Sequence, residues 1–170
     1  MRILGIDPGI GTTGFAVIEK TTGKGGERLV LIHAGEIRAS AQLKKESASC
    51  DLRLRMIFTQ LCEIINADSL DAVSIEDTFF AKNVKSALTL GQARGVAILA
   101  AQMHNLPIFE YSPRAIKLAV VGFGGAEKEQ VKMMVGKILN LSEPIVSEHT
   151  ADAAATAICH AHSCPPSGGK

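Results

Sequence analysis

The chain has 170 residues, 46% of them hydrophobic and 21% charged, with a formal net charge of +1. That length suits one domain with its own core, and the balanced charge excludes binding to nucleic acid or membrane through an overall field, so any such surface has to come from local clustering. No apolar run reaches the roughly 18 residues that span a bilayer, the four cysteines form no CxxC motif or disulfide framework, and the opening segment reads as a core strand and not a leader; a cytoplasmic protein without membrane contact is expected.

The chain opens with ILGIDPGIGTTGFAVIE at residues 3–19. Its first apolar run reads as a strand buried on both faces that carries one carboxylate, Asp7, and a charge there needs a partner. The Pro- and Gly-rich turn at 8–14 reverses the chain into a second extended run, giving a hairpin with an acid at its mouth. Residues 21–27 read as another Gly-rich turn, and 29–32 with 34–37 as a third strand that completes a meander. After a polar stretch at 40–49, apolar residues from Leu54 to Ile65 recur near the helical period, which predicts a helix over 51–67. A fourth strand at 71–76 ends on Glu76, and Asn83 caps a long helix at 84–103. Residues 108–111 form a fifth strand, Ser112-Pro113 opens a short helix to 121, a glycine loop spans 122–126, and helices at 127–139 and 147–162 follow. This order predicts an α/β fold, a mixed five-stranded sheet flanked by helices on both faces, with residues 1–162 as one domain and 163–170 as a disordered tail. Cys159, His160, His162 and Cys164 offer zinc-ligand side chains without the second half that a zinc site needs.

Asp7 and Glu76 sit on separate strands, while His149 and Asp152 are three residues apart and share one face of the last helix. Acids converging at one end of a sheet repel unless divalent cations hold them, so a magnesium site is the simplest partner for Asp7. Two such ions about 4 Å apart would activate a water and stabilise the leaving oxygen of a phosphodiester. Phe79 and Phe80 follow Glu76 directly; the alternation of a strand cannot bury both, which leaves one for a subunit contact or for stacking on an unpaired base. The 84–103 helix is rich in small residues, which permit close approach of the sheet or of another helix.

The segments GIDPGIGTTGFAVI, SIEDTFFAKNVKSALTLGQARGVAI, FEYSPRAIKLAVVGFGGAEKEQV and HTADAAATAICHAH, in this order and spacing, resemble the RuvC family of Holliday junction resolvases. The resemblance implies a ribonuclease H-like fold and a metal-dependent endodeoxyribonuclease of recombination and repair. Such an enzyme binds four-way DNA junctions as a homodimer, nicks two strands of like polarity symmetrically, and works with the RuvAB branch-migration complex. The family's acids fall on Asp7, Glu76 and Asp152 as ligands of two Mg²⁺ ions, with His149 completing the set and its lysines on Lys117 and Lys128. A histidine in that set should favour a borderline ion, so Mn²⁺ is expected to substitute for Mg²⁺. Phe79 is then the residue expected to wedge into an opened junction, with Phe80 beside it; Lys82, Asn83 and Lys85 hold phosphates, joined by Arg114 and, more weakly, Arg94, Lys132 and Lys137. Two other classes fit parts of the pattern: an actin-like or sugar-kinase-type ATP-binding phosphotransferase, whose phosphate loop IDPGIGTTG resembles, and a junction-binding module without catalysis.

Overall fold

A computed structural model describes residues 1–23, 26–38, 49–77 and 84–164. Strands β1 (Arg2–Asp7), β2 (Thr13–Gly23) and β3 (Gly26–Ile37) form an antiparallel meander, and β4 (Ala72–Glu76) and β5 (Ile108–Tyr111) extend it in parallel, in the order β3-β2-β1-β4-β5. The described helices are α1 (Cys50–Ala67), α2 (Val84–Met103), α3 (Pro113–Val121), α4 (Lys128–Ile138) and α5 (Glu148–Ser163). The strands reach further into the second Gly-rich segment than its composition predicts, since β2 runs to Gly23 and β3 resumes at Gly26. The gap expected around His33 is a bulge: Val17 pairs with His33 and Ile18 with Leu31, so Ile32 is the extra residue in an otherwise continuous strand.

Alternation along β1 builds two cores. Leu4 and Ile6 pack with α1 and α2 on one face, and Ile3 packs with α3, α4 and α5 on the other. The helix α5 lies directly on the second face, buried at every residue from Ala153 to Ala161. Two glycines allow this closeness. A Cβ on Gly5 would stand 2.1 Å from the Ala153 carbonyl oxygen, and one on Gly14 would stand 2.0 Å from that of His149. An isolated glycine in a strand marks such a close backbone approach.

The far end of α5 is held by Lys20. Its buried Nζ donates to the carbonyl oxygens of Ala161 at 2.7 Å and Cys164 at 3.2 Å, and pairs with Glu27 at 2.9 Å. Lys20→Met keeps the apolar stem but leaves those carbonyls without their donor. The variant is expected to melt roughly 5–10 °C lower, with unchanged helix content by circular dichroism. On the other face, α2 buries Ala93, Ala97, Ala100 and Ala101 and turns outward a stripe of Val84, Leu88, Gly91, Gly95, Leu99 and Met103.

Candidate active site

Because β1 and β4 are parallel neighbours, their final residues Asp7 and Glu76 come to the same edge of the sheet. The turn that follows Asp7 is tied by the buried Thr13, whose hydroxyl donates to the Gly9 carbonyl at 2.8 Å and accepts from its N–H at 3.3 Å. The start of α5 is fastened above this edge. Ser147 caps the helix by accepting from the Thr150 N–H at 3.2 Å, its hydroxyl donates to Glu36 of β3, and the Thr150 hydroxyl donates to the Gly35 carbonyl at 3.1 Å. The hydroxyl of Ser147, ahead of other causes, holds the Glu36 carboxyl below its usual range. Gly14 is the cross-strand partner of Asp7 and leaves the room in which His149 reaches it, with Nδ1 donating to Asp7 Oδ2 at 2.7 Å.

One helical turn further on, Asp152 faces Lys128 at the start of α4, 3.9 Å away, and the same ammonium is 3.3 Å from Glu148. Lys117 comes from α3, a helix opened by Pro113 and capped by Ser112, whose hydroxyl accepts from the Ala115 N–H. Glu76, Asp152, Lys117 and Lys128 thus line one cleft of about 220 Å³ whose apolar walls include Ile116 and Val131.

The charges in this cleft are poorly accommodated. Burial first, then the charges of Asp7 and Asp152, push the Glu76 carboxyl from 4.5 up to about 7. Burial also raises Asp7, against the hydrogen bond from His149, and it raises Asp152, with the charge of Asp7 adding to the effect. Lys128 is raised, chiefly by its hydrogen bond to Glu148 and by the charge of Asp152. Among the described residues no three His, Cys, Asp or Glu side chains surround a common point closely enough to form a ready metal cage. The acids instead form an open group of hard oxygen donors with one imidazole. Their mutual repulsion is what a divalent cation relieves, so the donor set fits Mg²⁺ or Mn²⁺.

The six residues read from the sequence as the catalytic group, Asp7, Glu76, His149, Asp152, Lys117 and Lys128, are therefore brought together. Lys85 lines a separate groove with Ile10, Thr89 and Leu90, and Arg114 another with Leu118 and Phe123. Phe79, Phe80, Lys82 and Asn83 lie outside the described residues. Arg94 is engaged within the fold, with its guanidinium 2.5 Å from Glu110 and 3.6 Å from Asp77, which ties α2 to the ends of β5 and β4. His160 is buried, stacked on Phe109 at 4.1 Å between ring centres and 2.8 Å from the Tyr111 hydroxyl, so its ring serves packing. Sequence reasoning did not single out Gly5, Gly14, Ser147 or Glu148.

Acids at the ends of two neighbouring parallel strands, joined by another from a helix laid across them, on a mixed five-stranded sheet, match the ribonuclease H-like class of nuclease fold, which the relatives below share. The family model described as crossover junction endodeoxyribonuclease RuvC matches residues 3–160. The protein of that name from Geobacter metallireducens is 48% identical over 163 residues, covering 96% of this chain and 93% of the relative. That from Caldicellulosiruptor saccharolyticus is 45% identical over 160 residues, covering 94% and 92%. The structure of Thermus thermophilus RuvC in complex with Holliday junction substrate superposes with a TM-score of 0.86 at 31% identity, over 96% of this chain and 94% of the other. The chain belongs to the RuvC family of crossover junction endodeoxyribonucleases. No helix among the described residues is long and apolar enough to cross a membrane.

Proposed function

We propose that this chain resolves Holliday junctions as a homodimer, with Asp7, Glu76 and Asp152 holding Mg²⁺ and two strands of like polarity nicked symmetrically. The observation that carries the reading is the cleft itself, in which carboxylates raised by burial and by one another face two lysines. Bound at those carboxylates, Mg²⁺ supplies an activated water and offsets charge at the phosphodiester. The chain's own groups do the rest. Lys117 and Lys128 aim ammonium charge into the cleft where negative charge grows on the non-bridging oxygens, which favours the transition state over the ground state. His149 holds one oxygen of Asp7 and so orients the other.

Cutting a two-fold junction in matched strands requires two sites related by a two-fold axis. The outward stripe of α2 supports a dimer: its central glycines have open space where a Cβ would stand, and apolar side chains flank them. Phe79 as the wedge and the RuvAB complex as the partner belong to the same reading.

A labelled synthetic junction, incubated with Mg²⁺ or with EDTA beside an ATP-hydrolysis assay, tests it. Paired nicks in Mg²⁺ alone, from a dimer by sedimentation, are expected. Asp7→Asn should abolish the nicks and leave junction affinity within about threefold, because acids hold metal while basic groups hold DNA. Parallel loss of binding, or equal cutting of linear duplex, would overturn the assignment.

A further inference from the structure

The loop between α3 and α4 presents an aromatic ring that the core does not use. Phe123 is 65% exposed, next to Gly122, whose φ of 81° ends α3 in a left-handed cap. Its ring lies over Gly125, where an added Cβ would come 2.8 Å from Cζ. An added Cβ on Gly124 would meet the Arg114 side chain at 2.7 Å, so two glycines bring the ring and the base of the guanidinium arm against one short turn. That turn is closed by the Ala126 N–H donating to the Phe123 carbonyl at 3.2 Å, with Ala126 buried. Phe123, Arg114 and Leu118 wall an open groove of about 520 Å³ that no carboxylate lines.

The groove and the catalytic cleft share α3 as a common wall. Ile116 and Lys117 look into the cleft while Arg114 and Leu118 look into the groove, and the glycine loop runs on to Lys128. Arg114 and Lys117 are three residues apart, about 4.5 Å along the helix axis.

We propose that this groove seats the nucleotides next to the scissile phosphate, with Phe123 against their sugars and base edges and Arg114 on a phosphate. The inference rests on the endonuclease reading of the cleft. The occupant is DNA because the wall pairs an apolar ring with a cation that no acid among the described residues pairs, the alternation a polynucleotide offers, and because a strand held in the cleft must leave over one of its rims. A protein partner would find no acceptor or carboxylate side chain in the lining to answer its own cations.

Junction dissociation constants over a range of salt, with single-turnover cleavage rates, separate the two contacts in Phe123→Ala, Phe123→Trp and Arg114→Gln. Phe123→Ala should weaken binding about five- to tenfold with an unchanged salt slope, because a neutral contact is lost. Phe123→Trp should bind as wild type does. Arg114→Gln should weaken binding and lower the salt slope by about one. Melting temperatures should not move for the exposed Phe123. An affinity within about twofold of wild type in Phe123→Ala would overturn the proposal. So would a DNA-free shift of that variant toward monomer, which would make the groove a contact between copies. A wild-type chain that fails to bind or cut junctions would instead remove the reading of the cleft.

Discussion

Glu76→Gln is expected to be more stable than the natural chain at neutral pH and unable to cleave. Burial and the neighbouring acids hold the Glu76 carboxyl at about 7 in the folded chain, against 4.5 unperturbed. Below 4.5 it is protonated whether the chain is folded or not and contributes nothing to the balance; between 4.5 and 7 the folded chain retains a proton that the unfolded chain releases, so stability falls as pH rises. Above that window the full penalty stands, at most roughly 3 kcal/mol. Glutamine carries no such charge. Its melting temperature, by calorimetry without metal, should exceed that of wild type by roughly 5–10 °C near pH 8, and the gain should shrink to nothing near pH 4. An equal difference at both pH values would mean that the carboxyl is not under electrostatic strain. Cleavage should be lost while junction affinity persists.

Gly14→Ala should cost the cleavage rate at least about a hundredfold, since a shift of about 1 Å in catalytic groups has that effect. The methyl group would sit 2.0 Å from the His149 carbonyl oxygen and 2.4 Å from its carbon, and backbone cannot swing aside as a side chain does. The start of α5 must lift, carrying His149 and Asp152 away from Asp7. Gly14 does not have a positive φ, so the effect is one of space alone. The helix is held further along by its buried middle and by Lys20, so secondary structure by circular dichroism should survive. Normal cleavage in a folded Gly14→Ala would show that the seam does not set the position of the acids.

The strands and helices were legible because each announces itself within a few residues: short apolar runs at 3–6 and 15–18, helical spacing from Leu54 to Ile65, and Ser112-Pro113 at a helix start. The acids were legible for a related reason, since an isolated carboxylate at the end of an apolar strand is costly unless it has work to do. What stayed hidden was pairing across the chain. Arg94 read as a weaker phosphate contact, whereas Glu110 and Asp77 claim it within the fold, and Lys20 gave no sign that it would cap a helix more than a hundred positions away. Such contacts arise when elements dock, and no local pattern encodes them.

The hydrogen bond between His149 and Asp7 joins residues 142 positions apart, and the last helix supplies much of the core on its face of the sheet. Assembly of the cleft therefore depends on one of the longest-range pairings in the fold, which is among the slowest kinds of contact for a chain to close. A chain still emerging from the ribosome can complete its first three strands, which are joined by short connections, long before residue 152 has been made. Until then Asp7 and Glu76 lack their third acid. With the roles proposed for these acids, nuclease competence is thus delayed until residue 152 has been made and its helix has docked, and a product truncated before that point would fold its first strands without the means to break a DNA strand.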